Sequence, residues 1–180
     1  MSSTTPARLP RRDATANPPA ALIPLFKKLA SEGGKVELEQ IKGELSRLRI
    51  TPQDLGDAIH VDAGAYVRTL VFENEFVEVL VMAWLPGQRS PIHDHKGSGC
   101  AVKVVAGRAV ERYYRPGPEG LVVKTGERSH SPGEVTASFD ADIHSLGNAV
   151  EGPAGAQSTL VTLHVYSPPL APTKKYVERT

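Results

Sequence analysis

Two histidines one residue apart, His93 and His95, stand inside a regular frame of small residues. Five residues separate Gly87 from His93, four separate His95 from Cys100, and six separate Cys100 from Gly107. On a strand, side chains at i and i+2 leave the same face, so both imidazoles would enter one cavity. Neutral imidazoles placed together can share a divalent metal ion; without one they would repel on protonation or compete for few partners. The plain alternative is a surface pair on a polar turn, flanked by Asp94 and Lys96. Cys100 is the only cysteine of the chain, so no intrachain disulfide can form. A lone thiol on an apolar strand is commonly inert core filler.

Other residues carry chemistry further along. His144 lies between Gly133 and Asn148 and is the candidate for a third imidazole; its alternative is a histidine buried in the core. Thr162, His164 and Tyr166 alternate along an apolar run and share one face. Tyr66 and Arg68 are likewise two apart. A guanidinium grips a carboxylate through two parallel hydrogen bonds, although an arbitrary strand arginine is more often on the surface. Trp84, in an apolar stretch nine residues before His93, is either a pocket wall or core packing.

The frame from Gly87 to Gly107 resembles the first motif of the cupin superfamily, with Cys100 where a metal-binding Glu usually stands. Gly133, His144 and Asn148 resemble its second motif, with Phe139 and Ala141 replacing a Pro and a Gly. Adding Tyr66-Val67-Arg68 and the run from Thr162 to Pro169, the chain over about residues 20–170 is similar to the cysteine dioxygenase family, the thiol dioxygenases of that superfamily. The resemblance implies iron(II), dioxygen and the conversion of a thiol to a sulfinic acid, with His93, His95 and His144 as metal ligands. Three neutral ligands and no protein carboxylate would leave the ion its full charge and about three open positions of an octahedral shell. Imidazole-rich sites also accept zinc, nickel and copper.

The same resemblance assigns roles to the other residues. Arg68 matches the family's clamp on the substrate carboxylate and favours L-cysteine, because relatives preferring 3-mercaptopropionate carry Gln there. Tyr66 would line the same pocket. Tyr166 matches the active-site tyrosine, which some members join to the Cys100 position by a thioether bond. His164 would orient Tyr166, with Thr162 standing in for the family's Ser and keeping its hydroxyl. The competing assignment makes His164 the ligand in place of His144. In similar enzymes the bond matching Ser167-Pro168 is cis. The alternatives in function are a dioxygenase for another small thiol acid such as 3-mercaptopropionate, a non-catalytic metal-binding cupin sensor, and a zinc or nickel cupin, the last weakened by the missing Glu.

The elements that must hold these residues read as an all-β core, a cupin antiparallel barrel or jelly roll, with two to three helices packed outside. Short β-rich runs punctuated by Gly and Pro fall at 66–72, 76–84, 101–105, 109–114, 121–124, 135–139 and 158–166. Apolar residues recur at helical spacing over 21–30 and 36–48, and Thr51-Pro52 opens a third helix with Thr51 as its cap. Residues 1–20, rich in Pro, Ala, Ser, Thr and Arg, read as a disordered tail before a single domain over 21–180. Residues 126–133 read as a loop, and neither His60 nor His130 is given a role.

At 180 residues and 40% hydrophobic, the chain can bury a substantial core in one domain. Its 21 Lys and Arg against 20 Asp and Glu leave a net charge of +1, which argues against nucleic acid or a membrane surface as partner. No apolar run approaches a spanning length, and the first residues lack the apolar core of a secretory signal. A single cysteine and an oxygen-sensitive ferrous site suit a reducing cytoplasm. The expected partners are a small thiol and O2, with the chain a monomer.

Overall fold

The computed structural model describes residues 11–149 and 158–179. Among these residues eleven strands form two facing sheets rather than one closed barrel, which is the jelly-roll form of the expected fold. The larger sheet runs, in spatial order, through β1 (Arg11–Asp13), β2 (Val67–Glu73), β3 (Glu78–Trp84), β10 (Leu160–Ser167), β5 (Gly99–Ala106) and β8 (Val135–Phe139). The smaller contains β11 (Lys175–Tyr176), β4 (Ile92–His93), β9 (Ile143–Asn148), β6 (Ala109–Pro116) and β7 (Val122–His130).

Strand alternation divides the larger sheet into two faces. Val79, Val81, Val161, Leu163, Val165, Ala101 and Val105 point outward and pack on the helices α1 (Ile23–Ala30) and α2 (Leu38–Arg47). The helices contribute Leu25, Phe26, Leu29, Ile41 and Leu45, all buried. Burying each such side chain contributes roughly 1.5–3 kcal/mol. The other face carries Leu70, Leu80, Met82, Trp84, Cys100, Val102, Leu160 and Tyr166 toward Ala109 and Leu146 of the smaller sheet. The helices therefore cover one side and leave the other to line an interior.

The third helix, α3 (Pro52–Leu55), starts as the sequence implies: the Thr51 backbone N–H and hydroxyl donate to Asp54 Oδ2 at 2.8 and 2.7 Å. Gly107 turns β5 into β6 at φ +77, and a Cβ there would lie 2.8 Å from Leu160 Cα, so only glycine fits. Among the described residues no helix is long and apolar enough to cross a membrane.

Three expectations need correction. Residues 1–10 of the expected tail lie outside the described residues, but Arg11–Asp13 pair with Arg68–Leu70 as a parallel edge strand. Local composition does not reveal such a strand, because its partner is more than fifty residues away. The presumed loop over 126–133 is strand up to His130, since the hairpin with β6 supplies its ladder from Ala109 to Pro116. Residues 143–148 form a further strand that the seven β-rich runs of the sequence do not include; its polar His144, Ser145 and Asn148 are buried and interrupt the apolar pattern.

Candidate metal centre

The two sheets bring different chemistry to one cavity of ≈ 420 Å³ between them. The smaller sheet supplies three imidazoles. His93 ends β4 and faces His144 of β9 as its cross-strand partner. His95 lies just past β4, in backbone pinned by its N–H to Asp140 O at 2.9 Å. The turn that follows uses Lys96 at φ 47 and Gly97 at φ 90. The strand reading of His-x-His is thus shorter than expected, yet both rings enter the same space. Ring centroids are 5.3 Å apart for His93–His95 and 4.8 Å for each with His144. One nitrogen from each of the three comes within 4.8 Å of the others.

Their hydrogen bonds show which nitrogens face inward. His93 Nδ1 lies 2.9 Å from Pro91 O, which can only accept, so Nδ1 carries the proton and Nε2 offers a lone pair. His144 Nδ1 lies 2.6 Å from Glu111 Oε1, and the same argument leaves His144 Nε2 bare. That atom and both nitrogens of His95 are buried without a hydrogen-bond partner among the described residues. Burial, reinforced by the neighbouring imidazole, lowers His93 to about 4 and His95 to about 3. Neutral, inward-facing and unpartnered imidazoles fit a divalent ion, which removes the cost of leaving them orphaned.

Among the described residues no carboxylate enters that cluster, but one stands directly behind it. Glu111, on β6, is 1% exposed and accepts four hydrogen bonds. His144 donates to Oε1, while His130 Nε2 at 3.1 Å, Tyr113 OH at 2.9 Å and Thr136 Oγ1 at 2.9 Å donate to Oε2. Burial opposes its ionisation, but the donors His130, His144 and Thr136 outweigh burial and hold Glu111 below the usual carboxylate range. A ligand imidazole backed by a carboxylate is fixed in tautomer and orientation. Sequence reading missed Glu111 and gave His130 no role. Both reach this position through strand register alone: Glu111 faces Arg128 and Leu146, so His130 and His144 are its diagonal neighbours. No local motif carries that signal.

The larger sheet supplies the opposite wall. Thr162, His164 and Tyr166 are all buried on β10. Trp84 Nε1, which can only donate, lies 2.9 Å from Thr162 Oγ1, and Thr162 Oγ1 lies 2.9 Å from His164 Nε2. The Thr162 hydroxyl can accept from Trp84 and still donate to His164 Nε2, an arrangement that would place the His164 proton on Nδ1, 3.4 Å from the Tyr166 hydroxyl. Burial, then the Arg68 charge, keeps His164 neutral. Trp84 also stacks on Tyr66, with centroids 4.0 Å apart. Tyr66 and Arg68 line the cavity, and Arg68 Nε is buried without a partner among the described residues.

Cys100 is buried on β5 directly opposite Tyr166 on β10. Burial raises its thiol well above the ordinary range, and burial likewise raises Tyr166. The Ser167-Pro168 bond that follows is cis. Asp94, between the two cavity-facing histidines, points elsewhere. It accepts from Lys174 N at 3.1 Å and Tyr176 OH at 2.8 Å, holding the C-terminal segment whose residues 170–173 rim the cavity. Asn148 ties Trp84 O and Ser158 O at 2.9 and 2.8 Å, a structural clasp in the second motif.

A family model described as cysteine dioxygenase type I matches residues 13–179. The chain is 28% identical over 167 residues to cysteine dioxygenase type 1 of Danio rerio, covering 90% of this chain and 82% of that protein. It is 26% identical over 165 residues to the Rattus norvegicus protein of the same name, covering 89% and 80%. Among solved structures, a Klebsiella pneumoniae protein with a double-stranded β-helix domain aligns with TM-score 0.52 at 22% identity, over 74% of this chain and 95% of that one. A Thermus thermophilus protein aligns with TM-score 0.51 at 23% identity, over 67% and 99%. These two likenesses are of fold.

Proposed function

We propose, since the chain belongs to the cysteine dioxygenase type I family, that it is an iron(II)-dependent thiol dioxygenase that oxidises L-cysteine with O2 to cysteine sulfinic acid. The overall change is balanced as thiol plus dioxygen giving sulfinic acid, with both oxygen atoms ending on sulfur. His93, His95 and His144 hold the metal. Iron(II), when bound, would lower the thiol pKa and supply the redox chemistry by which dioxygen reacts with sulfur.

The chain's own residues supply orientation and a dry, shaped cavity. Arg68 seats the carboxylate of the substrate through its unpartnered guanidinium edge. That fixes the thiol end toward the imidazoles and turns an encounter into a positioned pair of reactants. The Tyr166 hydroxyl, receiving a hydrogen bond from His164, keeps its own proton to donate into the cavity beside the sulfur. Met82, Trp84, Val102 and Leu146 form the apolar remainder of the wall and exclude water. Glu111 holds His144 in one tautomer and supplies, from behind, the negative charge that the ligand set lacks. The reading has the chain act as a monomer in the cytoplasm.

The observation that carries this reading is the meeting of three imidazole nitrogens within 4.8 Å of one another in one cavity with Arg68, whose buried Nε has no partner among the described residues. The experiment is oxygen uptake by anaerobically iron-loaded protein across cysteine, cysteamine and 3-mercaptopropionate. Uptake highest with cysteine supports the proposal; a preference for 3-mercaptopropionate would establish the nearest alternative, and no thiol-stimulated uptake would favour a metal-binding sensor.

A further inference from the structure

The cavity wall beside Arg68 contains two more charges that the metal chemistry does not use. Glu78, at the start of β3, is buried, its side chain only 4% exposed. Arg11, from the edge strand β1, reaches it with Nη2 at 3.1 Å from Oε1. Arg11, Arg68 and Glu78 all line the same cavity. The placement follows from register: β1 runs parallel to β2 with Arg11 directly opposite Arg68, so the two arginines project from the same face of neighbouring strands. Ala14 N–H to Leu70 O at 2.8 Å extends that pairing. Glu78 in turn sits opposite Tyr166, at the substrate end of the cavity.

A buried carboxylate near a guanidinium that must stay open is a hazard to binding. Glu78 feels both arginines: burial raises its carboxyl, and Arg68 and then Arg11 act against that rise. Yet among the described residues Glu78 makes its ion pair with Arg11, and Arg68 makes none. The other Glu78 oxygen accepts from Leu170 N–H at 3.4 Å, at the cavity rim. The Arg11 side chain is half-exposed and only Glu78 is buried, so removing Arg11 leaves a buried carboxylate uncompensated and seeking another partner. The other guanidinium facing this cavity is Arg68.

We propose that Arg11, carried into the wall by β1, holds the Glu78 carboxylate and thereby leaves Arg68 free for the carboxylate of the substrate. Arg11 is in these terms a positioning residue, and the N-terminal strand is part of the substrate site. The inference rests on the reading of Arg68 given above.

The test uses full-length, anaerobically iron-loaded protein, with the dissociation constant for cysteine measured by calorimetry and kcat by oxygen uptake. Arg11→Ala weakens cysteine binding about 10-fold or more while kcat changes far less. Arg11→Lys keeps the charge and binds within about 3-fold of the unaltered protein. In the double variant Arg11→Ala/Glu78→Gln, the carboxylate that captures Arg68 is gone, and binding returns. A merely structural role for Arg11 would give no such rescue. Unaltered binding in Arg11→Ala, or a loss that Glu78→Gln does not repair, overturns the inference. Arg68→Ala runs alongside: unaltered binding there defeats the reading of Arg68 itself, whereas weakened binding there with an inert Arg11→Ala defeats only the role of Arg11.

Discussion

Cys100 on β5 and Tyr166 on β10 are cross-strand partners, both buried and both on the face that lines the cavity. That placement holds the thiol beside the tyrosine ring with no rearrangement of the backbone. Burial raises the thiol far above neutrality, and joining it to the ring removes two hydrogens, so a bond between the two requires an oxidant.

The first prediction is a thioether between them after turnover with iron, cysteine and O2. The bond replaces the S–H and one ring C–H, with two hydrogens passing to dioxygen. Intact-protein mass spectrometry should show the loss of two hydrogens, and peptide mapping should join the segments carrying Cys100 and Tyr166. Cys100→Ala should remain at its plain sequence mass. An unchanged mass in the unaltered protein after many turnovers would contradict the prediction.

The second concerns Arg68. Truncation to Ala should raise the KM for cysteine by about 10²-fold, the scale expected for losing one partner of a desolvated charge pair. Cysteamine has no carboxylate and should be affected far less. Steady-state oxygen uptake with both thiols checks it, and equal losses would count against a carboxylate clamp.

The third concerns Glu111. Because it anchors His144 without entering the ligand cluster, Glu111→Gln should lower metal affinity by about 10- to 100-fold. Competition against a chromophoric chelator measures this directly, without reference to turnover. Affinity equal to that of the unaltered protein would show that the carboxylate has no hold on the metal site.

The fourth is a pH dependence of stability. Burial and Arg68 keep folded His164 neutral well below its ordinary value, whereas the unfolded chain takes up that proton near pH ~6.5. Below that pH the unfolded state binds more protons than the folded state, so stability is highest above it and falls as the pH drops. Urea unfolding of the metal-free protein between about pH 7.5 and 5.5 should show this decline, and His164→Gln should lessen it. Parallel declines in the two proteins would refute the assignment.

How much of this could be read in the chain divides along physical lines. His93, His95 and Cys100 lie close in sequence, and local spacing defines their arrangement, so the histidine end of the cavity was legible in the sequence. His144 was legible through its Gly and Asn neighbours, and the Thr162–His164–Tyr166 line through simple alternation. The helices followed from their apolar period. Glu111, His130, Glu78 and Arg11 were not legible, because their contacts depend on which strands lie side by side and in what register. A glutamate between Val110 and Arg112 resembles any solvated strand residue until the hairpin and β9 close around it. Arg11, in a Pro- and Ala-rich lead-in, gave no sign of belonging to a sheet.

The most direct measurement exposes anaerobically iron-loaded protein and cysteine to isotopically heavy dioxygen and weighs the product, with His144→Ala as the control. The account predicts cysteine sulfinic acid carrying both heavy oxygens, with neither iron retention nor product in the control. Product lacking the heavy label, or a control that keeps its iron and its activity, would contradict a metal centre built on His93, His95 and His144.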